Sequence, residues 1–197
     1  MGKEKVYRSE EGKSAVVQRR GDTLQAKSKP NNRLNGENKF NNLIKSKRLK
    51  SAVLFLFSHY KLTNNNFSLY IVERIERRPS AWMIVITQNG EKKPSLYVTK
   101  KFLIGGYEFS YLIRSLGHEA QHIDYHTTHI KSGKKGDGEE QEFLGYAWEA
   151  LSSGVPQHTK KRRKYAAERA MSEIFFRDDL KKKYQNKVNR LEKIIND

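Results

Sequence analysis

The sequence predicts an α+β fold on three observations. Short runs rich in β-branched and aromatic residues, punctuated by Pro and Asn-Gly, crowd residues 67 to 99. Apolar residues at three- and four-residue steps then take over from residue 108 and recur to the end of the chain. A further helical pattern precedes the strands.

Taken in order, residues 1 to 38 are rich in Lys, Arg, Ser, Asn, Gly and Glu with almost no apolar periodicity, the composition of a disordered basic leader. Three roles compete for it: an address read by a delivery apparatus, adhesion to an anionic partner, or an inert tail. Residues 39 to 197 are expected to form one folded domain, a length that can bury a proper core. From Lys39 to Tyr60, Phe40, Leu43, Ile44, Ala52, Leu54, Phe55 and Phe57 predict a helix packed on a sheet, stopped by Asn64-Asn65-Asn66. Strands are expected at Phe67 to Ile75, Ala81 to Thr87 and Ser95 to Thr99, with Pro79 and Pro94 marking strand ends. Gln88-Asn89-Gly90-Glu91 suits a hairpin, because Asn-Gly accepts the positive backbone angles of a tight turn. Gly105-Gly106 permits a turn into a helix from about Glu108 to His126. A second helix runs from Gly138 to Glu149 and is ended by Ser152-Ser153-Gly154-Val155-Pro156. Past it, Lys160-Lys161-Arg162-Arg163-Lys164 and Lys181-Lys182-Lys183 flank apolar residues at helical steps, expected to form C-terminal helices with basic outer faces.

Composition narrows the chemistry. There is no cysteine, so disulfides and thiolate metal sites are excluded, and metal ligands must be His or carboxylate. The longest apolar run, Ala52 to Phe57, is far too short to span a bilayer, and no apolar stretch of a secretory signal appears at the N-terminus. The net charge of +17 favours polyanions: nucleic acid, a membrane surface or an acidic protein. No helix-turn-helix, zinc finger or aromatic-interleaved basic motif accompanies it, so specific nucleic-acid readout is unsupported.

The helix from Glu108 carries His118-Glu119-Ala120-Gln121-His122, a His-Glu-x-x-His motif. Residues four apart on a helix lie almost one above the other, so both imidazoles project from one face and can close on one metal ion. Glu119 sits about 100° round the helix, near that ion without ligating it. Two imidazoles for zinc and a carboxylate to take a proton from the attacking water are the parts of a zinc hydrolase. Leu112, Ile113, Leu116, Ala120 and Ile123 form an apolar stripe on the opposite side, suited to a core.

These residues resemble the zincin metallopeptidases. The metzincin branch would put Gly at 125 and His at 128, where this chain has Tyr125 and Thr128; His129 comes one residue late. His126 stands ~12 Å of helix rise beyond His118, too far to share its ion. The gluzincin branch takes its third ligand as a Glu on a second helix. Glu142, twenty residues after His122, is similar in spacing to the thermolysin-like enzymes and opens Glu142-Phe143-Leu144-Gly145-Tyr146-Ala147-Trp148-Glu149. The resemblance thus implies zinc held by His118, His122 and Glu142, with Glu139 and Glu149 behind Glu142 as alternatives; charge patterning alone makes Glu140 part of a solvated acidic face. The resemblance implies Glu119 as general base and Tyr146, His126 or His158 as donor to the oxyanion, Tyr146 being preferred. Asp124 or Glu149 would orient a ligand imidazole. It also implies a small, mostly antiparallel sheet whose edge strand, taken as Leu96 to Thr99, pairs with an extended peptide substrate.

The strand-helix-helix layout and the Glu-Phe-x-x-Tyr wording are also similar to metallopeptidase domains of bacterial polymorphic toxins and injected effectors. That likeness implies a protein substrate, export or injection into a target cell, a delivery apparatus and an immunity protein. Two other classes stand against the zinc endopeptidase: a nucleic-acid or polyanion binder, and a phage or secretion-apparatus component. In both the His-Glu-x-x-His helix would be non-catalytic.

Overall fold

The structure, a computed structural model, describes residues 31–76, 78, 80–87, 91–133, 136–156 and 159–197. Most of the expected leader, residues 1–30, lies outside the described residues, as do Pro79, Gln88, Asn89, Gly90 and His158. Residues 31–38 belong instead to a first helix, α1 (Asn31–Lys45), followed by α2 (Leu49–His59). The single helix expected from Lys39 to Tyr60 is therefore two. The chain reverses between them at Lys47, whose positive φ of 58° no helix accommodates.

Three strands follow: β1 (Ser68–Val72), β2 (Met83–Ile86) and β3 (Ser95–Thr99). Their order is β1-β3-β2. β2 and β3 pair antiparallel, Met83 opposite Val98 and Ile86 opposite Ser95, as the Asn-Gly hairpin signal implied. β1 pairs parallel with β3, Leu69 opposite Leu96, which corrects the expectation of a mostly antiparallel sheet. It also corrects the edge strand. Leu96 to Thr99 lies in the middle, and the edge nearest the later helices is β2. Leu96 and Val98 are fully buried, and Ser95 and Thr99 nearly so, as a strand covered on both faces requires.

Thr99 ends β3 and caps the short α3 (Lys100–Ile104), its hydroxyl accepting from the Phe102 amide at 3.4 Å. Gly106, at φ 76°, then turns the chain into α4 (Phe109–Ser132), longer than predicted by about a turn and a half. Its stripe is buried as the periodicity predicts: Ile113, Leu116, Ala120 and Ile123 have no exposure. Each large aliphatic side chain so buried is worth on the order of 2 kcal/mol, which fixes the rotation of α4 and with it the direction of His118 and His122.

α5 (Gly138–Leu151) is capped by Asp137, which accepts from the Glu140 amide at 3.1 Å. It packs on α4 and on α6 (Lys160–Glu173), with α7 (Asp178–Lys183) and α8 (Gln185–Asn196) closing the far side. Two apolar clusters result. One joins α1, α2, the sheet and α4; the other joins α5 to α8 through Phe143, Ala147, Ala167, Ile174 and Leu191. The α4–α5 contact is the seam between them. No helix of the described residues is long and apolar enough to cross a membrane.

Candidate metal centre

Two mid-helix glycines set the depth of that seam. A Cβ on Gly117 of α4 would stand 2.0 Å from the Trp148 ring of α5, and one on Gly145 of α5 would stand 2.5 Å from Nε2 of His118. Glycine inside a helix costs about 0.5–1 kcal/mol relative to Ala, so two facing ones mark helices drawn unusually close. This signal was present in the sequence and went unread there.

At this approach His118 and His122 meet Glu142. The ligand atoms of the three side chains all lie within 4.8 Å of one another. Glu142 Oε2 is 3.3 Å from His118 Nε2, and its Oε1 is 3.7 Å from His122 Nε2. Two ligand atoms ~2.1 Å from a tetrahedral ion stand ~3.4 Å apart, so the two carboxylate–imidazole distances suit one cation, and the wider donor spacing, up to 4.8 Å, has to shorten around it. The other carboxylates considered as third ligand are committed elsewhere. Glu139 pairs with Arg177 at 2.7 Å, and Glu149 faces the opposite nitrogen of His118, its Oε1 2.7 Å from Nδ1.

Glu149 thereby takes the orienting role. A carboxylate only accepts, so Nδ1 carries a proton, which leaves Nε2 as the nitrogen that faces Glu142. Asp124, the other candidate, points away: it accepts from the Thr63 hydroxyl and from Asn65 Nδ2 at 2.8 Å. His129 stacks on Tyr125 with centroids 3.9 Å apart and bonds that residue's carbonyl, and neither it nor His126 joins the cluster.

Electrostatics separate the two imidazoles. Burial alone would disfavour a charged His118, but hydrogen bonds to Glu142 and Glu149 outweigh it and raise its pKa to about 10. Burial and the neighbouring His118 charge push His122 down to about 4. Glu119, pushed up chiefly by burial, reaches about 7, with His118 opposing and the Glu142 and Glu149 charges adding to the rise. A carboxyl poised there can both accept and return a proton near neutral pH.

Glu119, His118 and Glu142 line a cleft of about 470 Å³ whose other walls include Trp82 and Met83 at the β2 edge, and Arg162 and Tyr165 from α6. Tyr146 lines it too, its ring edge-on to His118 with centroids 4.7 Å apart. Arg169 lies over the Tyr146 ring, 5.4 Å from its centroid, and hydrogen-bonds its hydroxyl.

Two buried charges that support the site escaped the sequence reading. Arg114, with no exposure, donates from Nε to the Pro156 carbonyl at 2.9 Å and from Nη1 to the Glu149 carbonyl and Ser152 Oγ, tying the end of α5 to α4. Glu140 is not the solvated acid expected. It is 6% exposed and accepts from Tyr125 at 3.0 Å, Lys183 at 2.6 Å and Tyr184 at 2.5 Å. No family model, curated protein or solved structure matches the chain, so the chemistry of the site rests on the atoms just described.

Proposed function

We propose that this protein is a zinc-dependent metalloendopeptidase with a zincin-like, gluzincin-type site. The observation that carries the proposal is the meeting of Glu142 with His118 and His122 in one cluster, at a cleft that His118 and Glu142 line together with a half-buried Glu119 outside the cluster. His118, His122 and Glu142 would hold the cation. The choice of zinc follows from the donor set of two imidazoles and one carboxylate in a cysteine-free chain. When bound, zinc supplies a Lewis acid that polarises the peptide carbonyl and acidifies water.

The chain's own groups do the rest. An extended peptide can lie along β2, the edge strand beside the cleft, where main-chain hydrogen bonds fix its direction. Glu119 takes the proton of the attacking water and passes it to the leaving amine nitrogen. The Tyr146 hydroxyl, held by Arg169, donates to the carbonyl oxygen as negative charge develops on it.

Elemental mass spectrometry of the purified chain tests the reading, with H118A, E142A and E119Q beside it. About one zinc per chain is expected, lost in H118A and E142A and kept in E119Q, which loses peptide cleavage. Failure of the wild type to hold zinc after reconstitution, or cleavage by E119Q at the wild-type rate, overturns it.

A further inference from the structure

Resting on that reading, we infer that the cleft selects an acidic side chain beside the scissile bond, and that Arg162 reads it. Five consecutive cations open α6, and they are not equivalent. Lys160 donates to the Asp197 carbonyl at 2.9 Å and Arg163 to the Ala150 carbonyl at 2.9 Å. Arg162 is the cation of this run that lines the cleft with His118 and Glu119.

Its guanidinium sits over the Tyr111 ring, 5.0 Å from the centroid, and forms no ion pair among the described residues. Of the three carboxylates that share the cleft, Glu142 faces both histidines, Glu149 faces Nδ1 of His118, and Glu119 is the proposed general base; none of them pairs with Arg162. An arginine held against an aromatic face keeps its in-plane N–H donors free and has lost part of its rotamer freedom already, which suits two-point capture of a carboxylate. The first turn of α6 contains no acid to offset either the cations or the positive end of the helix dipole. An incoming Asp or Glu side chain supplies that missing charge. With a net charge of +17 the whole chain attracts such substrates, but only Arg162 among these cations is placed to read one beside the catalytic carboxylate.

The test uses the full-length, zinc-loaded E119Q chain as a non-cleaving binder. Two pools of short fluorescein-labelled peptides are compared by polarisation at roughly 0.15 M salt. The pools are degenerate save for a fixed central Glu in one and Gln in the other. The Glu pool is expected to bind about tenfold tighter, an advantage removed by adding R162Q and retained on adding K193Q, which deletes an equal charge away from the cleft. Equal binding of the two pools, or equal loss in R162Q and K193Q, overturns the inference and leaves only bulk charge attraction. Failure of the parent reading registers separately, as absent zinc.

Discussion

Glu149 Oε1 stands 2.7 Å from Nδ1 of His118, a contact made across the seam between α5 and α4. Arg114 also donates to the Glu149 backbone carbonyl, which holds this stretch of α5 against α4. E149Q can present its amide nitrogen or oxygen to Nδ1 and no longer enforces one tautomer. Zinc affinity is expected to fall about 10- to 100-fold, read by competition with a chromophoric chelator. Unchanged affinity would mean that His118 is oriented by packing alone.

Metal uptake is expected to release about one proton per ion near neutral pH. In the metal-free protein His118 is charged up to about 10, and its Nε2 proton must leave before that nitrogen can ligate. His122, held down to about 4, is already neutral and releases none. Apparent affinity therefore rises with pH through the neutral range and levels off above about 10. Calorimetry in buffers of different ionisation enthalpy counts the protons; a count of zero at pH 7 contradicts the assigned charge state.

What could be read beforehand follows from what is local. The α4 stripe and the His118–His122 pair depend only on helical period, and both were legible. Glu142 came from its likeness in spacing to the thermolysin-like enzymes, because helical phase alone does not separate it from Glu139 and Glu149. The rank of β3 was not, since strand order is set by a crossover that leaves little local trace, although the doubly apolar Leu96 and Val98 flanked by buried Ser95 and Thr99 do suit a central strand. Arg114 and Glu140 were illegible for a different reason. Their partners lie 35 to 44 residues away, apart from Tyr125 at 15, and a buried charge is recognised only through its partners.

Glu140 is expected to make stability acid-sensitive. Burial alone would raise its pKa, but hydrogen bonds from Lys183, Tyr184 and Tyr125 hold it below the ordinary 4.5. A depressed folded-state value contributes stability that is complete above the unfolded value and is lost as pH falls through the folded one. E140Q should therefore cost about 2 kcal/mol at neutral pH, with the gap to wild type narrowing at acid pH, below the ordinary 4.5. Urea unfolding at both pH values measures it. A gap independent of pH would assign the loss to packing.

The close approach of α4 and α5 gives the sharpest test, at Gly145. Alanine is the better helix former, so on propensity alone G145A would stabilise α5 by about 0.5–1 kcal/mol. Its Cβ, however, would stand 2.5 Å from His118 Nε2 and 2.7 Å from Cδ2 and Cε1, closer than non-bonded carbon tolerates. Either the imidazole turns or the helices part, and both withdraw Nε2 from Glu142. G145A is expected to lose about 1–3 kcal/mol of stability and at least tenfold in zinc affinity. Gly138 supplies the control, because a Cβ there meets nothing within 4 Å and G138A should keep its zinc. Wild-type zinc affinity in G145A would show that the seam is looser than described, and Glu142 would then have to reach the two histidines by another route.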